Sequence, residues 1–163
     1  MKIIELLSEV QIDNDNGWGA VPFNADIDYF GLRVLMKPSV FLKLAAPLPE
    51  PSSKENIKKH LQNGGSIGAP FLDITIPPQW EDGDFTKAAR VRGHEGRNRM
   101  AAVMALEGDA PVEVHLIPGG GMRNRDITPD MIKALNVVLY PEGITVKTID
   151  GPYFTQYNSN DNK

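Results

Sequence analysis

An α/β (α+β) single domain, with a small mixed sheet flanked by helices, is the fold class that this sequence predicts. Three observations point to it. The hydrophobic pattern switches repeatedly between strand-like alternation and helical spacing, most clearly at Gly96. Thirteen prolines and fifteen glycines interrupt the chain and argue against a long helical bundle. At 163 residues, 41% of them hydrophobic and 23% charged, the chain can bury one sizeable core.

The elements follow in order. Residues 1–10 read as a short strand and 11–29 as a long polar loop rich in Asn, Asp and Gly. FGLRVLM, residues 30–36, is a strand. Pro38 then occupies a helix first turn, with Val40, Phe41 and Leu44 at helical spacing and a stop near Pro47 and Pro49. Ser52 and Glu55 form a capping-box pattern ahead of a helix over about 53–63, which Gly64-Gly65 ends. PFLDITIPP gives a strand with Phe71, Asp73 and Thr75 on one face and Leu72, Ile74 and Ile76 on the other. A polar loop carrying Trp80, Glu81, Asp82 and Asp84 leads to a strand at 89–92.

From Gly96 to Gly108 the pattern is helical, with Met100, Val103, Met104 and Leu106 as its apolar stripe. PVEVHLI alternates like a strand. Thr128 and Pro129 open a helix to about Leu139, and ITVKTI is a last strand. The expected organisation is one domain over 1–157 with a disordered tail at 158–163.

The absence of cysteine excludes disulfides, thiolate zinc sites and a cysteine nucleophile. The first residues fit neither a signal peptide nor a membrane span, so a cytoplasmic location and no membrane partner are expected. The formal net charge of −4 argues against a protein that coats DNA by bulk electrostatics. Its distribution is uneven. Six of the seven arginines lie between positions 86 and 125, where with Lys87 they outnumber the acids Glu95, Glu107, Asp109 and Glu113. A local anion site on an acidic chain is the inference.

Its place is the strand, glycine turn and helix of ARVRGHEGRNRMAAVMALEGD. A helix N-terminus offers unpaired N–H groups and about half a positive charge, and Gly96 lets a ligand approach the backbone. Arginines in a first turn oppose the helix dipole unless an anion is shared, and their planar forks match phosphate. The expected phosphate- or nucleotide-binding residues are Gly93, Gly96, Arg97, Asn98, Arg99, Arg92, Arg123 and Arg125, the last two on a glycine-rich loop. Arg99→Ala is expected to weaken binding and leave the melting temperature little changed. The expected catalytic residues are Glu95 and His94. Against these stand a solvated ion-pair network, a capping acid and a loop-bonding histidine. Trp18, between two glycines, is either an aromatic platform for a base or a core or rim residue. His60 is expected to face solvent. No histidine or acid spacing points to a metal.

Glu95-Gly96-Arg97-Asn98-Arg99, followed by Ala101-Ala102, Gly108 and Pro111-Val112, resembles the phosphate-binding box of the ParB/sulfiredoxin superfamily. The resemblance spans about 30 residues and is similar to small ParB-like phage proteins. The N-terminal half has no matching stretch. Gly93, His94 and Arg97 also match a G-H-x-R form with one insertion, so Arg99 and Arg97 both stand for the family arginine. Sulfiredoxin chemistry itself is excluded, because it needs a cysteine.

The resemblance implies a sulfiredoxin-like fold and nucleotide binding, with phosphotransfer or nucleotide hydrolysis as the reaction. A nucleotide with Mg2+ is then the cofactor, and Glu95 or Asp73 orients a nucleophile or the ion. The alternatives are a DNA-binding module, non-catalytic or weakly nucleolytic, and a phage accessory protein that binds a host factor. No helix-turn-helix segment follows the box, which weighs against the first of these.

Overall fold

The structure is a computed structural model that describes residues 8–20, 32–45, 54–118, 127–135 and 154–155. The strand expected at 144–149, the tail, Ser52, Arg123 and Arg125 lie outside the described residues, as does most of the strand expected at 1–10, whose described part (8–10) is not strand.

One mixed sheet organises the described residues. Its strands are β1 (Leu32–Met36), β2 (Phe71–Thr75), β3 (Ala89–Glu95), β4 (Val112–Pro118) and the two-residue β5 (Phe154–Thr155), in the order β1-β4-β2-β3-β5. β4 runs antiparallel to β1 and parallel to β2, while β3 is antiparallel to β2 and parallel to β5. The helices are α1 (Pro38–Leu44), α2 (Lys54–Gln62), α3 (Arg97–Glu107) and α4 (Pro129–Leu135). An α/β fold is thus what the sequence forms.

The local reasons match the sequence signals. Pro38 is the first residue of α1, where its missing N–H costs nothing. The backbone N–H and hydroxyl of Ser39 donate to the Asp109 carboxylate, which caps α1 from the far end of α3. β2 alternates as expected, with Leu72 and Ile74 buried and Phe71, Asp73 and Thr75 half-buried. Leu72, Ile74, Val91, Val114, Phe41 and Met100 belong to one core cluster, and α3 packs against both α1 and α2.

Four expectations are corrected. Residues 78–82 form a 3-10 turn, not an open polar loop, and it buries Trp80, whose Nε1 donates to Lys87 O at 2.8 Å. β3 continues to Glu95, so Gly93, His94 and Glu95 are strand residues and the turn shrinks to Gly96. The buried face of α3 is Arg99, Met100, Ala102 and Val103, whereas Met104 is exposed. β4 alternates in sequence, yet Glu113 and His115 are as buried as Val112 and Val114, because β4 lies inside the sheet with both faces covered. Among the described residues no helix is long and apolar enough to cross a membrane.

Candidate anion site at the start of α3

The pairing of β2 with β3 sets which side chains enter the site. Asp73 lies opposite Gly93, but the next residue, Ile74, lies opposite Val91, so Arg92 is an extra residue in the ladder. Such a bulge reverses the facing of the residues beyond it. His94 therefore lies opposite Leu72 and shares the core face with it, while Arg90 and Arg92 point outward and are exposed.

One residue after β3, Gly96 takes φ 102°, a left-handed conformation that L side chains resist. A Cβ there would stand 2.7 Å from Pro70 Cβ and 2.8 Å from Arg99 Nη2. The chain turns at this glycine into α3, whose first helical bond runs from Met100 N–H to Gly96 O at 2.9 Å. No side chain caps this end, and its first turn holds no acid but two arginines. The amides of Arg97, Asn98 and Arg99 are the helix donors that no intrahelical carbonyl can satisfy. Most helices place an acid or a hydroxyl at this position.

The two arginines go separate ways. Arg97 Nη1 donates to Leu42 O at 2.7 Å and latches α1 to α3. Arg99 is only 3% exposed. Its Nη1 donates to Gly68 O at 2.8 Å and Gly19 O at 2.9 Å, with Trp18 O farther away at 3.5 Å. Nη2 is buried and has no hydrogen-bond partner among the described residues. Among the described residues its close charge is Glu95 Oε1 at 3.9 Å, and that carboxylate is 62% exposed. Burial lowers the Arg99 pKa and Glu95 opposes this, but a guanidinium stays protonated at any ordinary pH. A buried cation with an unfilled donor is costly, and among the described residues nothing but the distant Glu95 offsets that cost.

A cavity of about 240 Å³ opens at this place, lined by His94, Glu95, Gly96, Arg97, Asn98 and Arg99 together with Trp18, Gly19 and Ile57. Six of the expected site residues thus converge. Two do not line it. Gly93 faces Asp73, whose Oδ2 lies 3.1 Å from where a Gly93 Cβ would be, and Arg92 is turned outward by the bulge. Asp73 does not line the cavity either, and burial raises its pKa despite the opposing charge of Arg92. His94 has a lowered pKa, first because it is partly buried and second because of Arg97, with Glu95 acting the other way. It is the neutral imidazole of this cavity at pH 7.

Magnesium held by the protein does not fit these residues. Glu95 is the one carboxylate lining the cavity, beside Arg97 and Arg99, and no group of three or more His, Asp or Glu that could hold a metal occurs among the described residues.

Two features escaped the sequence. Glu113 is buried, and its carboxylate accepts from Arg33 Nη2 at 2.6 Å, Asn14 Nδ2 at 2.8 Å and His115 Nε2 at 2.9 Å. Burial alone would raise its pKa, but these donors outweigh it and bring it down to about 2. The available signal was the spacing of Glu113 and His115, two apart on a strand and so on one face. His60 was expected in solvent, yet its Nε2 lies 2.7 Å from Ser66 O and its ring contacts Trp18 with centroids 5.3 Å apart. The Gly64-Gly65 stop that brings the chain back against α2 was the signal for that contact.

Comparison of the chain with protein-family models, curated proteins and solved structures finds no match.

Proposed function

We propose that this chain is a phosphate- or nucleotide-binding domain of ParB/sulfiredoxin type, with its anion site at the N-terminus of α3. The observation that carries the reading is the pairing of an uncapped helix start with the buried, unfilled Nη2 of Arg99 beneath Gly96. The residues that carry the helix-start amides and the guanidinium line one cavity, and among the described residues the nearest acceptor for Nη2 is the loosely placed Glu95. An anion there would take the Arg99 donor that Glu95 reaches only at 3.9 Å.

The resemblance of the GHEGRNR box supports the same place, and the different contacts of its two arginines support different duties for them in this reading. Arg99 is the anion arginine and Arg97 the structural one, since Arg97 already donates to Leu42 O. The net charge of −4 favours a small phosphate compound over duplex DNA or a host factor reached through a basic surface. A cytoplasmic location goes with that ligand. An enzymatic extension, nucleotide hydrolysis or phosphotransfer, draws on His94, which enters the cavity neutral and can accept a proton.

A titration with inorganic phosphate and a panel of nucleotides, with and without Mg2+, tests the reading by thermal shift and by amide chemical shifts. A ligand at 100 times its Kd should stabilise the fold by about 2.7 kcal/mol. The amides of residues 96–99 should move first. Phosphate compounds that leave both the melting temperature and those amides unchanged would overturn the proposal.

A further inference from the structure

Trp18 is the largest exposed aromatic among the described residues, at 40% exposure, and it stands on the rim of the cavity that holds Arg99. An exposed indole is ordinary on a mobile surface, but the backbone that carries this one is held in place. The backbone N–H of Trp18 donates to Ser66 O at 3.0 Å, and its backbone carbonyl accepts from Gly68 N–H at 2.9 Å and lies 3.5 Å from Arg99 Nη1. The ring itself rests against His60 with an interplanar angle of 56°.

His60 is placed for that purpose by the same carbonyl. Its Nε2 donates to Ser66 O at 2.7 Å, so one oxygen anchors both the Trp18 backbone and the imidazole that backs the indole. Gly65 is what lets the imidazole come so close, since a Cβ at that position would lie 2.3 Å from the ring. Ile57, one helical turn before His60 on the same face of α2, continues the apolar wall into the cavity. The result is an aromatic surface, carried on a hydrogen-bonded backbone and resting against an imidazole, beside a pocket lined by two arginines. Rigid aromatics offer contact area at small entropic cost and stack well on other π-systems.

Resting on the anion site proposed above, we infer that Trp18 is the base-stacking subsite of a free nucleotide whose phosphate sits on the start of α3. The negative net charge disfavours a polynucleotide in the same place. Trp18 and Trp80 are the two tryptophans of the chain, and Trp80 is buried with its Nε1 bonded to Lys87 O, so ligand-dependent emission reports Trp18.

The experiment is a fluorescence and calorimetric titration of the full chain with adenosine 5′-monophosphate, ribose 5-phosphate, inorganic phosphate and a short single-stranded oligonucleotide. Adenosine 5′-monophosphate should quench the emission and bind about 5- to 150-fold more tightly than ribose 5-phosphate, the span expected of one stacked base. Trp18→Leu should lose that preference while binding ribose 5-phosphate as the wild type does, and Trp18→Phe should retain part of it. Equal affinity for the two compounds, with ribose 5-phosphate bound, would overturn the stacking subsite and leave the anion site standing. Binding of none of the probes would overturn both. An oligonucleotide bound more tightly than the mononucleotide would overturn the assignment to a free nucleotide.

Discussion

Arg99 shows how one side chain can be legible in type and illegible in place. Its position three residues after Gly96 marks it for an anion, but arginines in a charged run read as solvated, and this one is 3% exposed. The same guanidinium holds two loops through Gly19 O and Gly68 O and leaves Nη2 without a hydrogen-bond partner among the described residues. The expectation that Arg99→Ala leaves the melting temperature little changed is therefore revised on this burial. Each charge-assisted bond is worth about 1.5 to 3 kcal/mol, and the one to Gly68 O is buried, so its loss also costs desolvation of that carbonyl. Arg99→Ala should destabilise by at least about 3 kcal/mol, which for a chain of this size lowers the melting temperature by about 6 °C or more. Melting within about 1 °C of wild type would show that the side chain is not a buried tie.

At the scale of elements, the sequence disclosed what periodicity and punctuation can disclose. Pro38 opened α1, Gly96 and Gly108 bounded α3, and the alternation of β2 gave its faces. The bulge at Arg92 was invisible because a single extra residue leaves no mark on a pattern of arginines, valine and glycine, yet it decides that His94 faces inward. β4 misled for another reason, since alternation reports polarity and not coverage. The loop before β1 covers its polar face, with Asn14 Nδ2 donating to Glu113 while Asn14 Oδ1 accepts from Ala69 N–H at 2.9 Å. That contact has a pH signature. Glu113 has a folded pKa of about 2 against an ordinary value of 4.5, so its stabilisation is complete above the ordinary value and is lost as pH falls toward the folded one. The contribution is on the order of 3 kcal/mol. Urea melts between pH 6 and pH 2.5 should show the wild type losing more stability than Glu113→Gln, whose amide does not titrate. Parallel losses in the two proteins would contradict the role of Glu113.

For the whole molecule, an acidic chain places two of its arginines in the first turn of one helix and buries one of them. On the proposed reading, stability and binding are set against each other at the start of α3. A helix start without a cap or an acid forgoes about 0.3 to 1 kcal/mol that a carboxylate in the first turn would supply. That omission makes sense when the unpaired amides and Arg99 Nη2 serve an anion. Asn98 is the residue at which to test this, because it is half-buried, lines the cavity and lies in the first turn beside both arginines. The most direct measurement is the melting temperature of the wild type and of Asn98→Asp, each with and without saturating inorganic phosphate. The added carboxylate should raise the melting temperature of the free protein by about 1 to 4 °C through the helix dipole and remove the phosphate-dependent rise that the wild type shows. An Asn98→Asp protein that phosphate stabilises as much as the wild type would contradict an anion site at this helix.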